Sequence, residues 1–349
     1  MPSYRPALHA FAIAWVCATF ILIVAGGTVT SRGHGMAVPD WPTSYEYNMF
    51  LFPPSMWKGG IFWEHTHRLL GSFVGLLTIV MTVWLLATQK HRSWLRRLGI
   101  AALIMVGVQG IIGGLRVTEL SIVLAILHGV TAQLFLCVTV LIAAATSKWW
   151  PAPSRSRLCT SPPALRAASI ILFTAILIQL ILGATMRHTG AGLAIPDFPT
   201  SYGKPLPPMT QKTIDNRTAQ MFDYDDPAMP QGVTPAMVGV HFAHRVWAVG
   251  VIVAAGWFVS RFARHGATER LLARPTIALI VLLVVQVCLG AMVIWSMRHP
   301  ELATAHQATG AATLAVVALI MFRAHMLPVA PATEPARIGA PSPSLQGRD

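Results

Sequence analysis

Apolar residues fill long stretches of this chain with few polar interruptions, and they do so eight times. The runs cover roughly residues 7–29, 62–87, 98–115, 120–146, 165–186, 236–260, 275–296 and 301–326. Each is close to the ~20 residues with which an α-helix crosses a bilayer. Helices are required, because lipid offers no partner to an unpaired backbone N–H or C=O. The pattern predicts an all-α integral membrane protein with eight transmembrane helices. The first run starts within ten residues of the N-terminus. It is longer than a signal-peptide core and is expected to be retained. No Arg-rich, Ser-rich transit peptide precedes it, which favours a bacterial protein.

The polar positions repeat. PDWPTSY runs from Pro39 to Tyr45 and PDFPTSY from Pro196 to Tyr202. Gly26, Thr28, Gly33, Gly35 and Ala37 recur 157 positions later as Gly183, Thr185, Gly190, Gly192 and Ala194. Beyond the loop the offset is 177: His67-Arg68 maps to His244-Arg245, Gln109 to Gln286, Gly113 to Gly290, His128 to His306 only one position off it. The chain therefore reads as a tandem duplication. Residues 1–146 form an N-terminal four-helix bundle and 166–327 a C-terminal one. A linker spans 147–165, and the tail 328–349 is rich in Pro, Ala and Ser. The long outer loops, 30–61 and 187–235, carry Trp41, Phe50, Phe52, Trp57, Phe198 and Phe222. They are expected to fold back over the membrane surface. Asp223, Asp225 and Asp226 read as a solvated patch.

Composition agrees. The chain is 54% hydrophobic and 11% charged, too little charge to cover a soluble protein of 349 residues. The net charge of +13 suggests nucleic acid until it is placed on the topology. With both termini and the 88–97, 147–165 and 261–274 loops in the cytoplasm, that side holds 16 of the 26 basic residues but 3 of the 13 acidic ones. This is the positive-inside bias. It predicts a multi-pass bacterial cell-membrane protein with cytoplasmic ends, and no nucleic-acid partner. None of Cys17, Cys137, Cys159 and Cys288 falls in an outer loop, so no outer-face disulfide or thiol relay is expected.

Four histidines fall inside the spans. His67 and His128 lie near the outer ends of the second and fourth, and His244 and His306 near those of the sixth and eighth. All four fall in one layer. Buried polar groups in a membrane are costly and mark function. Two helices that each present an imidazole to a flat macrocycle give bis-histidine haem ligation. His67, His128, His244 and His306 are the candidate metal ligands. Arg68 and Arg245 follow a ligand in each copy and could pair with a haem propionate or snorkel outward. Glu64 shares a helical face with His67, and His241 occupies its place in the second copy. A carboxylate beside one macrocycle and an imidazole beside the other suggests different tasks. His241 reads as a spare ligand or propionate partner, and His65 has no assigned role. Gln109, Gln179 and Gln286 each stand four residues before a glycine and read as packing residues. His34 and His188 are placed to touch a ligand edge.

These features resemble the haem A synthase family, which oxidises haem O to haem A for cytochrome oxidase. The resemblance covers residues 7 to 326. It rests on E-x-x-H-R at Glu64–Arg68, H-R at His244-Arg245, and His128 and His306 on their own helices. It implies haem O as substrate between His67 and His128, haem b as cofactor between His244 and His306, and Glu64 as the catalytic carboxylate. Haem O synthase and cytochrome oxidase assembly proteins are the implied partners. Some members carry a cysteine pair in the first outer loop; this chain has none there. Two other readings use the same histidines: a di-haem cytochrome b-type membrane electron carrier, and a haem-handling assembly protein without turnover. The divergence of Glu64 and His241 favours the enzyme.

Overall fold

The computed structural model describes residues 4–150, 162–222, 229–265 and 270–326. The acidic patch, the tail and most of the linker lie outside them. Eight helices are long and apolar enough to cross a membrane: α1 (Pro6–Ser31), α2 (Gly59–Thr88), α3 (Ser93–Thr118), α4 (Ile122–Thr146), α5 (Pro163–His188), α7 (Pro235–His265), α8 (Arg270–Trp295) and α9 (Pro300–Met326). A ninth, α6 (Gln211–Met221), is short and polar and lies in the second long loop. Among the described residues there is no strand.

The helix starts follow local chemistry. Proline opens α1, α5, α7 and α9, where its fixed φ suits the first turn and its missing N–H costs nothing. Ser121 caps α4, its hydroxyl accepting from the Leu124 N–H at 3.3 Å. The spans carry apolar residues on their outward faces as well. Val83, Ile104 and Val253 are 60%, 61% and 66% exposed, as expected of residues whose solvent is lipid.

In the first copy α1 packs on α2 and α4, and α3 on α2 and α4, closing a ring. In the second copy α5 packs on α7 and α9, and α8 on α9, but the matching contact of α7 with α8 is all but missing among the described residues. α9 also packs on α1 and α4, so the two copies share a core. Ile23 and Leu136 of the first copy belong to one buried cluster with Leu172, Phe258, Leu279 and Leu314 of the second. A separate cluster around Leu8, Trp15, Met81, Leu85 and Phe135 fills the first copy. At the end away from the histidines, Trp94, Trp150 and Phe322 form a triangle with ring centroids 5.6–5.8 Å apart.

The repeated heptapeptide folds the same way twice. Asp40 accepts hydrogen bonds from the Thr43 hydroxyl at 2.5 Å and the Tyr45 and Glu46 N–H groups at 2.7 and 2.9 Å. Asp197 does the same for Thr200, Tyr202 and Gly203 at 2.5, 2.6 and 2.8 Å. The Tyr45 hydroxyl donates to the Ala37 carbonyl at 2.6 Å and Tyr202 to Ala194 at 2.7 Å. The self-contained bonding explains why D, T, S and Y recur together. The second long loop also contains α6, which its reading as a segment folded over the membrane surface does not specify. Ile214 of α6 is fully buried with Ile195, Tyr202 and Val238, and that cluster anchors the loop.

Candidate haem-binding site

The four span histidines occupy matched positions. His67 and His244 lie eight and nine residues into α2 and α7, and His128 and His306 six residues into α4 and α9. At 1.5 Å per residue these depths are roughly 9–14 Å from helix starts on one side of the bundle. Each imidazole is pressed against a glycine of a neighbouring helix. A Cβ on Gly26 of α1 would fall 2.8 Å from His67 Cε1, and one on Gly113 of α3 would fall 2.8 Å from His128 Cε1. The second copy repeats both seats, with Gly183 at 3.1 Å from His244 Cε1 and Gly290 at 3.1 Å from His306 Cε1. Only a residue without a side chain lets the rings lie so close.

The residue one turn before each glycine completes the seat. Leu22, Gln109, Gln179 and Gln286 each bring backbone polarity to the ring that their glycine receives. Gln179 Nε2 also lies 3.2 and 3.1 Å from the two ring nitrogens of His244, and Gln286 Nε2 lies 3.4 Å from His306 Nε2. Gln109 instead bonds the Thr131 hydroxyl. The Q-x-x-[IL]-G phrase, which reads as packing in the sequence, is thus the floor of a histidine seat.

Within each copy the paired histidines lie in electrostatic range of each other, His67 with His128 and His244 with His306. Nδ1 of His67, His128 and His306 and Oε1 of Gln179 and Gln286 are buried with no hydrogen-bond partner. Unpaired polar atoms this deep are expensive. Their concentration beside paired imidazoles fits a group that the imidazoles bind through a ring nitrogen, and a haem iron with two axial histidines is such a group. Among the described residues no cluster of three or more His, Cys, Asp or Glu side chains is grouped to hold a bare metal ion.

Glu64 and Arg68 sit at the junction of α2 and the first loop. Glu64 is 4% exposed. One carboxylate oxygen accepts the Val38 N–H at 2.9 Å and the other pairs with Arg68 at 3.0 Å. Arg68 further donates to the Val38, Asp40 and Thr43 carbonyls at 2.7, 2.6 and 3.0 Å. In the second copy His241 Nδ1 receives the Ile195 N–H at 3.3 Å. Ile195 is the repeat mate of Val38, so His241 performs the loop-holding task of Glu64. Arg245 donates to the Ile195 and Thr200 carbonyls at 3.1 and 2.9 Å and lies over the Phe198 ring. Both arginines are fastened to the heptapeptide. His65 points the other way, buried 3.2 Å from the Ser44 hydroxyl between the Phe52 and Trp57 rings.

Arg116 has no mate in the repeat and escapes a reading of it, and His188, which the sequence already places at a ligand edge, also lacks a histidine mate. Arg116 of α3, matched by Val293, donates to the Gly35 carbonyl at 3.0 Å and lies in electrostatic range of Glu64, His67 and His128. His188, at the end of α5, is in range of His128 across the copies. A charged residue at the very end of an apolar run, in the last turn of α3, was the available signal for Arg116.

The chain matches the family model described as cytochrome oxidase assembly protein over residues 9–318. It is similar to proteins named heme A synthase. That of Methylorubrum extorquens strain PA1 is 26% identical, over 99% of this chain and 95% of the relative. That of Rhizorhabdus wittichii is 28% identical over 90% and 94%. That of Sphingopyxis alaskensis is 26% identical over 88% and 90%.

Proposed function

The chain belongs to the cytochrome oxidase assembly protein family, and on that basis we propose how its two histidine pairs are used. It is a multi-pass membrane oxidoreductase of the haem A synthase type. The N-terminal half, 1–146, takes haem O between His67 and His128, and the C-terminal half, 166–327, holds haem b between His244 and His306. The observation that carries this reading is the twice-repeated pair of buried imidazoles, each seated on a glycine and three of them with an unpartnered Nδ1. A haem bound there would supply the redox centre for oxidising a methyl group of haem O to the formyl group of haem A, with the electrons passing to an acceptor outside the chain.

The chain's own residues bind, orient and close. His67 and His128 hold the substrate iron, and their glycine seats fix the ring planes. Arg68 and Arg245 bolt a heptapeptide lid over each pair and so exclude water from the layer below. Arg116, with one bond to the Gly35 carbonyl, is the cation better placed than Arg68 to meet a propionate in the first copy. Glu64 is the copy-specific carboxylate. Held by Val38 and Arg68, it presents fixed negative charge near the first pair, suited to proton handling or to stabilising developing positive charge. Both ends lie in the cytoplasm, with haem O synthase and oxidase assembly proteins as the expected partners in the bacterial cell membrane.

Pigment analysis of the purified protein tests this. Haem b together with haem O or haem A is the expected yield. His244→Ala or His306→Ala should remove haem b, while His67→Ala or His128→Ala should remove haem O and haem A and leave haem b. Haem b alone, at two per chain, would overturn the reading in favour of an electron carrier.

A further inference from the structure

Arg187 has no counterpart in the first copy, where the repeat places Thr30. It lies one residue before the end of α5. Its guanidinium reaches two other helices. One nitrogen donates to the Gln307 side-chain oxygen of α9 at 2.5 Å. The other donates to the Gly27 carbonyl and the Ser31 hydroxyl of α1, both at 2.6 Å. α1 and α9 are pressed together at this point, since a Cβ on Gly27 would fall 2.7 Å from the same Gln307 oxygen.

Two of these three contacts are one residue away from a candidate haem site. Gln307 follows His306, a ligand of the second pair. Gly27 follows Gly26, the seat of His67 in the first pair. His306 lies within range of the Arg187 charge, and His128 within range of the adjacent His188. A line therefore runs from the His306 backbone through the Gln307 side chain, across a hydrogen bond to the guanidinium, across another to the Gly27 carbonyl, and along the backbone to Gly26, which meets the His67 ring in a close non-bonded contact.

We propose that Arg187 is the electronic link between the two histidine pairs. The proposal rests on the reading that each pair binds one haem. The step is a single electron transfer: ferrous iron at His244/His306 is oxidised, ferric iron at His67/His128 is reduced, and no bond or proton changes place. Tunnelling through covalent and hydrogen bonds decays less steeply than through a gap, so a hydrogen-bonded bridge serves this step. Fastening alone does not call for this residue. α5 already packs along α9, and the Ser31–Thr304 hydroxyl pair at 2.9 Å and the Arg32–Glu301 ion pair join the end of α1 to α9. A guanidinium inside a membrane bundle is a costly way to add a third fastener. Its fixed positive charge also favours the reduced form of iron on either side.

The test uses full-length protein loaded with haem b and haem A, whose conjugated formyl group moves its visible band so the two irons are read separately. After photoreduction by an external dye, re-equilibration between the bands gives the inter-site rate. Arg187→Met should slow it at least tenfold, with the content and low-spin signals of both haems unchanged. Arg187→Lys, which restores the charge and one bond, should recover part of the rate. Arg32→Ala, at the same helix interface but off the line, should keep the wild-type rate. A wild-type rate in Arg187→Met, or equal slowing in Arg32→Ala, overturns the link. Should Arg187→Met lose a haem, Gln307→Leu breaks the line at one step, and a wild-type rate there overturns it as well. Wild-type protein that binds one haem at most would instead overturn the two-site reading beneath the proposal, a result told apart by haem content alone.

Discussion

Alanine at Gly183 probes a histidine seat of the second pair. The added Cβ would stand 3.1 Å from His244 Cε1. Carbon atoms rest at about 3.5–4.0 Å, so the ring must retreat by roughly 0.4 Å or more. Metal ligands hold their distances to within about 0.2 Å, so a retreat of that size is felt at the iron. Overpacking costs roughly 1–3 kcal/mol, while Gly→Ala in a helix returns about 1 kcal/mol. The net penalty of about 0–2 kcal/mol corresponds to as much as a 30-fold loss of haem affinity. Gly256 supplies the control. It lies on the same helix as His244, and a Cβ there would meet nothing within 4 Å. The assay is haem content per chain together with the low-spin electron paramagnetic resonance spectrum. Gly183→Ala and Gly290→Ala should shift the ligand-field pattern and lower occupancy, and Gly256→Ala should do neither. Wild-type spectra and content in both seat variants would refute the idea that the glycines position the ligands.

Three further outcomes follow from the geometry. Glu64→His copies the second repeat; an imidazole can still accept the Val38 N–H, so the lid should hold, yet haem A yield should fall about 10²-fold if the carboxylate serves proton transfer, and full yield would remove Glu64 from the chemistry. Asp40 and Asp197 in the outer loops sit below the ordinary carboxylate value of 3.8, because burial, which would raise them, is outweighed by bonds from Thr43, Glu46 and Tyr45 and from Gly203, Thr200 and Tyr202. Their depressed values stabilise the lids above the unfolded-state value, and that stability is lost as pH falls through the folded-state one; proteolysis of the outer loops should accelerate below about pH 4, and Asp197→Asn should already show fast cleavage of the second loop at neutral pH, an effect whose absence would discard the lid role of Asp197. Cysteines placed in the 88–97 and 261–274 loops should resist impermeant reagents in intact cells, and labelling of both would reverse the topology.

The sequence alone determined the eight spans, because a bilayer imposes length and hydrophobicity one segment at a time and neighbours cannot override it. It also singled out the four histidines, because a buried polar residue that recurs in both copies has been placed there by the same structural demand twice. Partner choice was another matter. Nothing local says that Gly26 receives His67 or that Gly290 receives His306, since each contact joins different helices and depends on how they pack. His241 looked like a spare ligand beside a carboxylate-bearing twin, yet tertiary structure gives both residues one task, the acceptance of a loop N–H from Val38 or Ile195. Arg68 and Arg245, free to snorkel or to bind propionates on sequence grounds, spend their donors on loop carbonyls that lie 25 to 50 residues away in the chain. Arg187 carried no signal in the repeat. Its meaning came only when α1, α5 and α9 were brought together around it, because a bridge between two sites is a property of the space between helices and not of any one of them.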